Sequence, residues 1–142
     1  NFAKTSLVNC EKHGYSRFAC MLNTDKTMNG GKHWVAIFAE IKQKKDGSKH
    51  CTIEYFDSLG HKPLDSVTDW AIHNIHEMKQ HGISATYNCG HIKHQYKNVE
   101  CGVYCLYFIR KMLEGENIEY FRSGAKLPDD KMSEFRKYIF VE

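Results

Sequence analysis

Cys101 follows Gln95 by six residues, directly precedes Gly102, and heads the apolar run Val103 to Ile109. That run reads as a buried helix, and a cysteine at a helix start lies at the positive end of the helix dipole, where a thiolate is favoured. A thiolate there can attack a carbonyl carbon. To cleave an amide it also needs an imidazole that takes and returns a proton, a group that orients the imidazole, and donors for the oxyanion. His33 and Asp57 supply the first two types. The Gln95 amide and the Cys101 backbone N–H can supply the third.

The elements between these residues explain how they would meet. His33 to Ile41 reads as a strand buried on both faces for most of its length, and Cys51 to Phe56 as its returning partner. Gln43 to Lys49, centred on Asp46-Gly47, is a hairpin turn signal. In an antiparallel pair the start of the first strand and the end of the second are neighbours, so the hairpin alone brings His33 close to Asp57. Arg17 to Leu22 is a further strand and Asn23 to Gly31 a loop. Pro63 opens a helix to about Lys79, with Leu64, Val67, Ala71, Ile75 and Met78 at helical spacing. Ile83 to Tyr87 is another strand. The cysteine helix runs to about Leu113, with Gly115 as its stop. A last helix follows Pro128, with Asp129 and Asp130 in its first turn and Met132, Phe135, Tyr138 and Ile139 on one face. The fold class expected is α+β.

The chain of 142 residues is the size of one domain, large enough to bury about 70% of its unfolded surface without disulfides. No stretch approaches the roughly 18 apolar residues of a membrane span, and no signal-peptide core opens the chain. A net charge of +3 is too mild to argue for nucleic-acid binding. Of the six cysteines, Cys20 and Cys51 lie in strand-like runs and Cys105 inside the helix, positions that suit reduced thiols of an intracellular protein. A monomer is expected.

His33-Trp34, then Tyr55-Phe56-Asp57-Ser58-Leu59-Gly60, then Gln95 with Glu100-Cys101-Gly102-Val103-Tyr104 resemble the ubiquitin-like-protein-specific protease superfamily. That group contains the SUMO proteases, adenovirus-type proteases and processing proteases of large DNA viruses. The order His, Asp, Gln, Cys and the Gln-x5-Cys-Gly spacing match it, over about Phe18 to Ile109 and more loosely the last helix. The resemblance implies a papain-like core with a central mixed sheet and the nucleophile at the N-terminus of a packed helix. It implies a thiol peptidase or isopeptidase cutting after small residues, as in Gly-Gly-X or Gly-X. Cys101 would be the nucleophile, His33 the general base and acid, Asp57 its orienting carboxylate and Gln95 an oxyanion donor. Trp34 would line the channel for residues before the scissile bond, and Gly102 would allow close approach there. No metal or other cofactor is expected.

Within the superfamily, the phrases Phe18 to Asp25, Tyr55 to Gly60 and Glu100 to Ile109 look most like proteases of large DNA viruses, which mature capsid or core polyproteins. Glu100 stands where SUMO proteases place Asp, and no tryptophan precedes Trp34. Only 32 residues precede His33, and the first is not methionine, so a single catalytic domain over 1–142 with a missing or reduced N-terminal lobe is expected. The substrate expected is a viral polyprotein, met in the host cytoplasm at the virus factory, in the virion or in the nucleus. The alternative is a cellular-type enzyme acting on a ubiquitin-like protein tail. Two readings from other classes are a non-catalytic module on the same fold and a zinc site drawn from Cys89, His91, His94, Cys101 and Cys105. Those spacings lack the tight paired knuckles of structural zinc.

Overall fold

The computed structural model of the chain describes residues 2–24, 33–97, 100–116, 121 and 126–140. A 3₁₀ turn at Phe2–Lys4 leads into α1 (Leu7–Lys12). Then come β1 (Arg17–Asn23), β2 (Trp34–Gln43), β3 (Lys49–Phe56), α2 (Asp65–Gln80), β4 (Ile83–Cys89), α3 (Cys101–Leu113) and α4 (Asp129–Ile139). The four strands form one sheet in the order β1-β2-β3-β4.

The β2–β3 hairpin closes where expected. Lys44 N–H donates to the Ser48 carbonyl at 2.7 Å, and the Asp46 carboxylate accepts from Ser48 N–H at 2.9 Å. Gly47 takes φ +85°, which its lack of a Cβ allows. β4 runs parallel to β3, from Lys49 opposite Ile83 to Tyr55 opposite Cys89. A parallel neighbour needs a crossover connection, and α2 is that crossover. The result is the mixed sheet of an α+β fold. The expected helix from Pro63 begins at Asp65, because Leu64 holds extended backbone as its N-cap. Of the expected loop Asn23 to Gly31, residues 25–31 lie outside the described residues.

The chain forms two compact units. The first comprises Asn1–Cys20, Ile37–Tyr55 and Pro63–Cys89. There α2 lies along β4 and buries Val67, Trp70, Ala71, Asn74 and Met78. Two polar groups on that face hold the N-terminal segment. The Trp70 indole donates to the Thr5 carbonyl at 2.9 Å, and the Asn74 side-chain oxygen accepts from Leu7 N–H at 2.7 Å. These bonds, with Ser6 capping Asn9 N–H at 3.0 Å, support α1, a helix the sequence reading does not assign. Six residues are too few to show a helical apolar period.

The second unit comprises Met21–Ala36, Phe56–Lys62 and Gly90–Glu142. α3 buries Val103, Tyr104, Cys105, Tyr107, Phe108 and Met112, and it packs on α4. Phe108 stacks on Phe56 with centroids 4.8 Å apart, and Tyr107 meets Phe135 edge-on at 5.2 Å. Met132 occupies the core face of α4 as expected, but Tyr138 does not. It is exposed, and its ring lies 5.1 Å from the Arg110 guanidinium, a cation–π contact that suits an aromatic ring at the rim.

Candidate active site

All six residues expected at the site belong to the second unit. β2 starts at Trp34 and β3 ends at Phe56, so His33 and Asp57 flank the open end of the hairpin. His33 Nε2 lies 2.8 Å from Asp57 Oδ1, and both side chains are buried. Asp57 Oδ1 also accepts from Leu59 N–H at 2.8 Å, which fixes the carboxylate in its turn. The His33 backbone is held in turn by Thr24 N–H, which donates to its carbonyl at 2.9 Å. An ionised carboxylate only accepts, so Nε2 carries the proton in this pair. That leaves Nδ1 for the thiol.

Cys101, first residue of α3 and half-buried, is hydrogen-bonded to the His33 ring and to the backbone N–H groups of Trp34 and Gly102. Burial pushes its thiol pKa up. The His33 hydrogen bond, the two N–H groups and the His33 charge outweigh burial and bring it below the ordinary 9.0. For His33, burial works against the charged ring, but the hydrogen bonds and charges of Asp57 and Cys101 prevail and raise it from 6.5 to about 9. Both shifts favour the same state, a thiolate beside an imidazolium. This is the form in which a cysteine attacks.

Trp34 contributes twice. Its N–H meets the sulfur, and its side chain is 37% exposed, so it is a surface group at the site and not core packing. A Cβ built on Gly102 would lie 3.8 Å from Trp34 Cδ1, so Gly102 faces that indole. Glu100 occupies the N-cap position of α3 without a side-chain cap bond, and its Oε2 lies 3.8 Å from Arg136 Nη1.

Gln95 is buried, and its side-chain amide is pinned at both ends. The Ser58 hydroxyl donates to Oε1 at 2.7 Å, and Nε2 donates to the Lys97 carbonyl. Gln95 and His94 N–H both donate to the Ser58 carbonyl, at 2.9 and 2.8 Å. The structure thus gives the Ser58 hydroxyl to Gln95. It also brings in two residues that the sequence reading does not place at the site. His61 Nδ1 lies 3.8 Å from Asp57 Oδ2. Asp129 accepts from Tyr96 and Lys97 N–H at 3.1 and 3.2 Å, tying the loop after Gln95 to α4. An acidic residue in a first helical turn is a signal for such backbone capture, but not for which loop it captures.

Among the described residues, His33, Asp57 and His61 place ligand atoms within 4.8 Å of one another. Two imidazoles and a carboxylate suit zinc. A proton on the His33 ring, held to about pH 9, competes with any ion at neutral pH. The Cys89-to-Cys105 run forms no such group among the described residues. Cys105 is core, and His94 accepts from Leu127 N–H at 3.1 Å through Nδ1, with Nε2 3.3 Å from the Phe121 carbonyl.

A thiol at a helix start, an imidazole bound to it and a buried carboxylate behind the imidazole define the thiol peptidases. The chain belongs to one family of them: residues 22–142 match the Ulp1 protease family, C-terminal catalytic domain. A SUMO-1 cysteine protease of African swine fever virus is 35% identical over 130 residues, covering 91% of this chain and 45% of that protein. A protein of Acanthamoeba polyphaga mimivirus named as a thiol protease is 32% identical over 117 residues, covering 79% of this chain and 35% of its own. The crystal structure of the African swine fever virus protease pS273R superposes with a TM-score of 0.79 at 30% identity, over 98% of this chain and 53% of that one. The chain therefore spans about half the length, or less, of the relatives it matches. No helix among the described residues is long and apolar enough to cross a membrane.

Proposed function

We propose that this chain is the catalytic part of a thiol endopeptidase that processes viral capsid or core polyproteins after small residues, at Gly-Gly-X or Gly-X sites. The observation that carries this reading is the bonded series Cys101, His33, Asp57, with the thiol pKa lowered and the imidazole raised to about 9. The Cys101 thiolate attacks the scissile carbonyl carbon, and the C=O electron pair moves onto oxygen. The Cys101 N–H and the Gln95 side-chain NH2 stabilise that oxyanion. As the tetrahedral adduct collapses, the imidazolium gives its Nδ1 proton to the departing amine and leaves a thioester. His33, now neutral, takes a proton from water. The hydroxide attacks the thioester, and the acid product departs as the thiolate is restored. Asp57 holds the ring in the required tautomer throughout. Trp34 and Gly102 bound the approach of the residues before the cut, where a small side chain fits best.

The second reading is removal of a ubiquitin-like protein from its conjugates. It is favoured by the family and by the name of the African swine fever virus relative. Processing is preferred because the similar relatives reported above are viral. The substrate would then be met in the host cytoplasm at the virus factory, in the virion or in the nucleus.

Electrophilic probes ending in SUMO, ubiquitin or a short Gly-Gly peptide separate the readings. Processing predicts that the short peptide labels Cys101 at least as fast as either protein probe. Faster labelling by the SUMO probe, by about tenfold or more, overturns processing in favour of deconjugation. No labelling of Cys101 by any probe overturns both.

A further inference from the structure

We propose that Ser58 is a positioning residue for the oxyanion donor: the Lys97 carbonyl selects the nitrogen end of the Gln95 amide, and the Ser58 hydroxyl anchors the oxygen end from a distant segment. The inference rests on the reading of Gln95 as that donor. A glutamine amide has two nearly isosteric ends, and its terminal torsion is broad and two-fold. Only the NH2 end can stabilise an oxyanion. A flipped amide would turn its carbonyl oxygen towards developing negative charge. The donor is therefore useful only if the flip is blocked.

The Lys97 carbonyl blocks it, and the Ser58 hydroxyl anchors the amide so selected. The Lys97 carbonyl accepts and cannot donate, so the atom against it must be Nε2. The Ser58 hydroxyl then donates to Oε1 at 2.7 Å. Ser58 is fully buried and Gln95 is 3% exposed, so bulk water is poorly placed to replace that bond. One N–H of the amide is spent on Lys97. The other, for which the described residues give no acceptor, is the one that the proposed role assigns to a substrate oxygen.

The two anchors are not equivalent. Lys97 is two residues from Gln95 on the same loop, whereas Ser58 lies 37 residues away in sequence, beside Asp57. Its carbonyl takes the N–H groups of both His94 and Gln95. The same turn is pressed against the 91–95 segment at Gly60, where a Cβ would fall 2.8 Å from the His91 carbonyl oxygen and φ is +72°. One four-residue turn thus holds both the carboxylate behind His33 and the Gln95 amide. The turn itself, closed by Gly60 N–H to the Asp57 carbonyl at 2.9 Å, does not need the hydroxyl. Gln95 does.

The test compares Ser58→Ala, Gln95→Ala and the double variant, with two readouts. Hydrolysis of a Gly-Gly-X peptide passes through an oxyanion. Alkylation of Cys101 by iodoacetamide requires the thiolate but forms none. For Ser58→Ala the expected result is a kcat loss of roughly 10- to 100-fold, somewhat less than for Gln95→Ala. KM should change by less than about threefold, and the Cys101 alkylation rate by less than about twofold. In the Gln95→Ala background, Ser58→Ala should add less than about a twofold loss, since the group it positions is gone. Unchanged kcat, multiplicative losses in the double variant, or an alkylation rate that falls as far as kcat would each overturn the proposal. The last would mean that the turn acts through Asp57. If Cys101 in the unsubstituted protein alkylates no faster than the other cysteines, the peptidase reading itself fails, and this one with it.

Discussion

Cys101 and Cys105 are the same residue type one turn apart on α3, and their thiols are driven in opposite directions. At Cys105, burial raises the pKa well above 9.0, and the negative charges of Cys101 and Asp57 add to it. At Cys101, burial also acts upward but is overcome by donors from outside the helix, the His33 ring and the Trp34 N–H foremost. Cys51, in β3, has only a backbone hydrogen bond from Glu40 to oppose burial, which pushes it up to about 12. A helix start alone does not make a nucleophile. What separates the two positions is that the first turn of α3 meets the residues that open β2, and the second turn lies in core.

The comparison breaks most decisively at Cys101 itself. Cys101→Ala should abolish peptide cleavage, a loss on the order of 10⁶-fold, while thermal stability changes by no more than about 1 kcal/mol. Residual cleavage above background would move the nucleophile elsewhere. Next in size is the reactivity contrast. Iodoacetamide at pH 7 should modify Cys101 at least about 100-fold faster than Cys105, read by peptide mass mapping, and His33→Ala should erase most of that lead. The activity profile should fall on its alkaline side near pH 9, as His33 loses its proton. The linked stability runs in the same sense. A ring whose pKa rises from 6.5 to about 9 on folding contributes fully below pH 6.5, and the contribution is lost as pH climbs through about 9. The smallest effect belongs to the core partner. Cys105→Ala should cost about 1 kcal/mol in denaturant unfolding through the small void it leaves, with kcat within twofold. A large kcat change there would show that the second turn is not merely core.

The hairpin, α3 and the His33–Asp57 pair were legible because each rests on short-range rules: strand alternation, an Asp-Gly turn, an apolar run after a cysteine. α1 was not, because its support is tertiary and comes from Trp70 and Asn74 on α2. The parallel seat of β4 beside β3 likewise depends on where α2 returns the chain. At the site, side-chain types pointed to Gln95 but could not show what holds it. A serine after an aspartate reads as turn chemistry, and its partner 37 residues on is invisible without coordinates. Nor does any sequence pattern announce the Trp34 N–H, since a backbone donor carries no residue-type signal.

That backbone donor has a consequence for safety. The acidity of the Cys101 sulfur depends chiefly on groups far from it in the chain, the His33 ring and the Trp34 N–H, with the N–H of its neighbour Gly102 adding to them. When the segment that carries His33 and Trp34 separates from the helix, their contributions vanish, and the sulfur reverts towards an ordinary thiol, of which only a few per cent is ionised at neutral pH. A nascent or damaged copy therefore carries at this position a thiol no more reactive than any other. On the proposed reading, the peptidase would be armed only by completing its own fold.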